Sequence, residues 1–214
     1  MKNIKNKLHN AFEFVNKGYF KQAEILYLEC LDKMDEQNSN LYKQAMHGLG
    51  FVKLELNHFN EAKEIYTELL HLARKEGDKQ GEAIANHQLG MGDRLNGNPD
   101  KALYFFAEEY EIYNSFLPTF HLGFATNLYE RGTTYLLQNK LKEAQNLMED
   151  SLYHGKRTED VIVVGCAYRD LGDIFQRFGE REKAMNHYKY ALDAFEKAND
   201  SQAVKDIEKK IANL

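Results

Sequence analysis

Leu89-Gly90-Met91-Gly92-Asp93-Arg94-Leu95-Asn96-Gly97-Asn98-Pro99-Asp100-Lys101-Ala102-Leu103-Tyr104-Phe105-Phe106 is the stretch whose reading decides the fold. It reads as the end of one helix, a turn and the start of another. Gly97 tolerates the left-handed conformation that ends a helix, and Pro99 suits the first turn of the next one. Ala102 and Phe106 lie four residues apart, on one stripe of that second helix. Gly90 sits inside the first helix, where a glycine costs about 1 kcal/mol against alanine, so it needs a compensating cause. Close approach of the second helix would supply one.

The same arrangement recurs along the chain. Ala23, Ala62, Ala102, Ala144 and Ala184 are spaced 39, 40, 42 and 40 residues apart. Four residues after each comes a large side chain: Tyr27, Tyr66, Phe106, Met148 and Tyr188. Eight after come Leu31, Leu70, Tyr110, Leu152 and Leu192, and twelve before stand Ala11, Gly50, Gly90, Gly132 and Gly172. Five before each alanine stand Gly18, Asn57, Gly97, Asn139 and Gly179, the expected turns between paired helices. Ser39, Asp78, Asp160 and Asp200 are placed to cap the first helix of the following repeat. Pro118 and a two-residue lengthening predict an irregular connection after the third repeat. The expected fold is all-α, a right-handed α-solenoid of five helical hairpins and a capping helix, forming one domain over 1–214. The repeats span about 1–38, 39–77, 78–117, 118–159 and 160–199. Residues 200–214 carry Val204, Ile207, Ile211 and Leu214 on one face and charges on the other, the polar ending that a repeat array needs.

Composition narrows the function classes. The 214 residues are 43% hydrophobic and 29% charged, a balance too apolar for a disordered chain. The longest apolar run, Val161 to Tyr168, is far short of a membrane span, and the N-terminus shows no secretory signal. With 28 basic residues scattered among 33 acidic ones and a net charge of -5, no nucleic-acid surface is expected. Two cysteines, Cys30 and Cys166, imply no disulfide framework, which fits a reducing cytoplasm.

Leu49-Gly50…Ala62-x3-Tyr66, Leu89-Gly90…Ala102-x3-Phe106 and Leu171-Gly172…Ala184-x3-Tyr188 resemble the tetratricopeptide repeat family. Repeats one and four match less well, with Ala11, Arg131 and Met148 in place of the family residues. The family's tryptophan is absent, and the longer period implies longer helices. This long-helix variety is similar to the repeat domains of bacterial intracellular peptide-pheromone receptors. The resemblance implies a peptide or protein segment bound in a concave groove lined by the first helices.

Numbering each repeat so that its alanine is position 20, positions 2, 6, 9 and 13 face away from the partner helix, with 5 and 12 flanking. The candidate groove residues are Gln44, His47, Phe51, Ile84, His87, Gln88 and Met91, then Thr126, Tyr129, Glu130, Thr133, Arg169, Asp170 and Asp173. Lys5, Leu8, His9 and Phe12 hold the same positions in the first repeat. The expected ligand is an extended peptide or a partner helix, apolar over Phe51 and Met91 and polar near the fifth repeat. The family's carboxylate clamp needs Lys, Asn and Arg at these positions. Starting from the first repeat the chain instead offers Leu8, Phe12, Gly48, Ile84 and Gln88, so that mode is not expected.

No catalytic constellation or cofactor loop stands out. Glu68-x-x-His71 is half of a di-metal motif without its second copy. Cys166 has no flanking base, and Gly90-Met-Gly lacks dinucleotide-loop spacing. The expectation is a non-enzymatic, cytoplasmic, bacterial adaptor with no cofactor and no metal. Two rivals are a peptide sensor acting on a separate effector, since the first repeat begins almost at Met1, and a self-assembling protein that dimerises through its N-terminal end.

Overall fold

A computed structural model describes residues 2–34 and 40–214. The described residues form helices and no strand. The helices are α1 (Lys2–Asn16), α2 (Phe20–Leu31), α3 (Asn40–Glu55), α4 (Phe59–Glu76), α5 (Lys79–Leu95), α6 (Pro99–Asn114), α7 (His121–Leu137), α8 (Leu141–Gly155), α9 (Val161–Arg177), α10 (Arg181–Lys197) and α11 (Ser201–Ala212). Their boundaries follow the repeat register, with α11 after the fifth hairpin. The architecture is the helical-hairpin repeat of an α-solenoid. The helices group into two compact units, one ending at Ile112 and one starting at Tyr113, with the division inside α6.

Each hairpin turn is closed in the same way. Gly18, Asn57, Gly97, Asn139 and Gly179 all take the left-handed backbone, with φ of 73°, 60°, 76°, 58° and 76°. The residue after each donates its N–H five residues back: Tyr19 to Phe14, His58 to Lys53 and Asn98 to Asp93 at 2.8 Å, Lys140 to Tyr135 and Glu180 to Phe175 at 2.9 Å. That bond satisfies a carbonyl the helix end would leave bare. Asp78 caps α5 through Gly81 N–H, Asp160 caps α9 through Ile162 and Val163, and Asp200 caps α11 through Ala203. Ser39 lies outside the described residues. Pro99 opens α6 as expected. The connection 115–120 is irregular, and α7 starts after Phe120 without a side-chain cap.

In the second to fifth repeats the small residue of the first helix meets the large residue of its own second helix. A Cβ on Gly50 would stand 2.7 Å from the Tyr66 ring, on Gly90 2.6 Å from Phe106, on Gly132 2.9 Å from Met148, and on Gly172 2.4 Å from Tyr188. Absence of a side chain is thus what lets these four pairs close. The five register alanines and the five large residues beyond them are all buried, and burying one such large side chain contributes roughly 1.5–3 kcal/mol. In the N-terminal unit the cores gather around Ala23, Tyr27 and Leu49, and around Ala62, Tyr66 and Leu89. In the C-terminal unit one core runs from Ala144 and Met148 to Tyr188, Phe195 and Ile207 of the cap helix. Cys30 is buried among apolar residues.

Candidate functional site

In the N-terminal unit, α1 and α3 present their outward faces to a common hollow of about 870 Å³. Leu8, Phe12, Val15, Leu41 and Phe51 supply its apolar lining, and Lys5, His9, Asn16, Gln44 and His47 its polar lining. Phe12 is 55% and Phe51 37% exposed, and both rings face the same hollow. Phe51 is held edge-on to Phe20, ring centres 6.5 Å apart. The floor depends on Gly48. A Cβ there would fall 2.2 Å from Tyr27 Cζ, so only glycine lets the Tyr27 ring lie beneath the hollow.

His47 is half-buried, its carbonyl accepting from Tyr66 Oη at 3.2 Å. Burial holds its imidazole below the usual range, with Asp78 opposing the shift, so it is a neutral hydrogen-bonding group near pH 7. His87 occupies the same repeat position in α5 but faces the buried Glu109 carboxylate, Nδ1 3.1 Å from both oxygens. Ile84 is 39% exposed, and Met91 is half-buried. Gln88 lines a separate polar hollow with Lys63, Asp93 and Asn98.

The candidate residues of the C-terminal unit are tied to one another. Arg169 donates from Nε to Asp170 at 2.8 Å and from Nη2 to Tyr129 Oη at 2.7 Å. Thr133 Oγ1 reaches the other Asp170 oxygen at 3.5 Å. Asp170 is buried, and burial pushes its carboxyl above the usual range against the pull of Arg169. Burial also raises the Tyr129 phenol. Asp173 accepts from Lys210 of α11 at 2.7 and 2.9 Å and from Tyr188 Oη at 2.6 Å. Thr126 bonds back to its own helix at Leu122 and Gly123. Glu130 is half-buried beside this cluster.

In the fifth repeat, then, the two acidic candidates have partners within the protein: Asp170 is buried and paired with Arg169 of α9, and the partly exposed Asp173 with Lys210 of α11. Lys210 could not be foreseen from the register, because the cap helix belongs to no repeat. Val15 and Asn16 hold positions 12 and 13 of the first repeat, on the face the register turns outward, and Leu41 enters the hollow from the start of α3, before position 2. Glu68 accepts from Tyr42 Oη at 3.1 Å, and His71 is exposed. Among the described residues, the three-residue set with metal-ligand spacing is Glu24, His58 and Glu61. The Lys53 ammonium binds both of its carboxylates, so the negative charge there is already met.

Among the described residues no helix is long and apolar enough to cross a membrane. No curated protein sequence matches the chain. Similar solved structures include BtubC from P. vanneervenii, with TM-score 0.71, 20% identity and coverage of 88% of this chain and 78% of that one. A putative kinesin light chain from Podospora anserina with nearly identical repeats gives TM-score 0.69 at 16% identity, covering 92% and 96%. The Rap conjugation gene regulator of plasmid pLS20, in complex with the Phr* peptide, gives TM-score 0.80 at 12% identity. There 96% of this chain matches 57% of that one. At such identities the likeness concerns the fold. The tetratricopeptide repeat model matches residues 44–115, 81–154 and 123–197, overlapping windows that together cover most of the sequence. With glycine-to-aromatic contacts inside the hairpins and matching windows from 44 to 197, the chain belongs to the tetratricopeptide repeat family.

Proposed function

We propose that this protein is a non-enzymatic adaptor whose repeats act together and whose N-terminal unit takes a peptide or protein segment against α1 and α3. The observation that carries the reading is the hollow itself, with the exposed rings of Phe12 and Phe51 over a floor opened by Gly48. Rigid, half-exposed aromatics give contact area at little entropic cost, and Gln44 and His47 at the rim can hydrogen-bond an extended backbone. The peptide complex of the Rap regulator, on a similar fold, supports a peptide as the occupant. A cytoplasmic location agrees with the two free thiols of Cys30 and Cys166.

The test is a pull-down from the native cytoplasm with wild type and with Phe51→Ala, Met91→Ala and Phe12→Ala, each checked for retained helicity. A partner captured by wild type should be lost or weakened with Phe51→Ala and Phe12→Ala. Met91 adjoins on the next repeat and should contribute less. A partner retained by all three would refute the assignment.

A second reading is self-association through the α1–α2 hairpin. On α2, Ile25 and Leu28 are 56% and 47% exposed, and the corresponding positions of α4, α8 and α10 carry polar residues. Light scattering across concentration decides it, because a strict monomer excludes it.

A further inference from the structure

We propose that His121 and His154 bind one divalent transition-metal ion of the copper(II) or nickel(II) class through their Nδ1 atoms, strapping the start of α7 to the end of α8. His121 is the first residue of α7, and His154 lies in the last turn of α8. Their Nδ1 atoms stand 3.0 Å apart, with ring centres at 5.2 Å. A neutral imidazole has one protonated nitrogen and one lone pair. Two facing Nδ1 atoms therefore either share one ring's N–H in a hydrogen bond or, with both protons on Nε2, turn two lone pairs toward one metal ion.

The spacing fits two neighbouring ligands on one ion. With metal–nitrogen bonds of about 2.0–2.1 Å, donors held 3.0 Å apart subtend an angle of roughly 91–97°. That is the cis angle of square-planar or octahedral coordination. A tetrahedral zinc site would spread the nitrogens to about 3.3–3.4 Å. Imidazole ligands in tetragonal geometry suit copper(II) and nickel(II), with copper bound more tightly. Among the described residues no third metal-ligating side chain joins the pair, so solvent would complete the coordination.

The surroundings orient the ligands before any ion arrives. The His154 ring lies 5.0 Å from Phe124 at an interplanar angle of 31°, and Tyr153 meets it edge-on at 5.2 Å. Such wedging reduces the freedom lost on binding. The nearby Asp150 carboxylate favours a cation at His154. Arg157 opposes it, but its guanidinium is drawn over the Tyr153 ring at 3.6 Å, donating to the Tyr153 carbonyl.

The test uses the untagged full chain. Nickel(II) titrated calorimetrically should bind at one ion per chain and raise the unfolding temperature. Equimolar copper(II) should show an electron paramagnetic resonance spectrum with hyperfine coupling to two imidazole nitrogens. His121→Gln and His154→Gln should each weaken nickel binding by at least about tenfold, the loss seen even for an outer-shell partner. Each should also reduce the copper spectrum to one coupled imidazole. His71→Gln, at an exposed site elsewhere, should change neither readout. Absence of a saturable one-ion process in wild type would overturn the proposal. So would a copper spectrum unchanged in the doubly substituted chain. The wild-type stoichiometry and spectrum need no variant, so a variant that fails to fold does not shield the proposal.

Discussion

Replacing Gly90 by alanine tests the central packing idea, because two opposing terms can be separated. Helix propensity alone would stabilise α5 by about 1 kcal/mol. Against this, the new Cβ would lie 2.6, 2.7 and 2.9 Å from Cε1, Cδ1 and Cζ of Phe106. Reaching ordinary contact at about 3.5 Å requires the ring to withdraw by nearly 1 Å. Phe106 is fully buried and has nowhere to withdraw to. Overpacking of this kind costs about 1–3 kcal/mol, so the net effect is a loss of up to about 2 kcal/mol. Gly92 supplies the control on the same helix. Its Cβ would meet only Leu54 Cδ2, at 3.1 Å, the tip of a flexible side chain. The propensity gain is common to both substitutions, so their difference isolates the contact with Phe106. In urea unfolding followed by circular dichroism, Gly90→Ala should fall below Gly92→Ala by about 1–3 kcal/mol at equal denaturant slope. Phe106→Leu should be tolerated better in the Gly90→Ala background than in the wild-type chain, a coupling of at least about 0.5 kcal/mol. Equal stability of the two alanine variants, or no coupling, would refute the close-approach account.

Three further outcomes follow from particular contacts. Asp160→Ala should lower stability by about 1 kcal/mol, since its carboxylate accepts from the Ile162 and Val163 amides, and Asp160→Asn should retain most of it; urea midpoints check both. Lys210→Ala should loosen α11 from Asp173, costing at most about 1 kcal/mol for this partly exposed pair, with faster amide exchange confined to α11 and its neighbours. His47 titrates lower in the folded chain than in the unfolded one, so the unfolded state binds more protons as pH falls below the ordinary histidine range. Stability should therefore decline as pH falls through that window, and His47→Gln should reduce the slope; an unchanged slope would contradict the burial argument.

The fold was legible because its determinants are local. Alanine followed four residues later by a large side chain, and glycine or asparagine five residues before, state helix faces and helix ends without knowledge of anything distant. The left-handed φ at Asn57 and Asn139 and the Asp160 cap were readable for that reason. The outward direction of Lys5, Leu8, His9, Phe12, Gln44, His47 and Phe51, which line the hollow, was readable in the same way, because each lies on a helix face defined by the register.

The remainder depended on what a neighbouring helix brings. His47 and His87 hold the same repeat position, yet one borders the hollow and the other is engaged by Glu109 of α6. Arg169, Asp170 and Asp173 had the right periodicity for a ligand-facing surface, but Tyr129, Thr133 and Lys210 engage them first. Periodicity reports the direction in which a side chain leaves its own helix. What it meets there is a matter of distance between helices, and a buried charge takes the partner that folding brings within reach. The sequence alone therefore determined the hairpins, their turns and the faces left outward. Only the tertiary structure decided which outward residues line a hollow and which pair with one another, because pairing depends on the distance between helices.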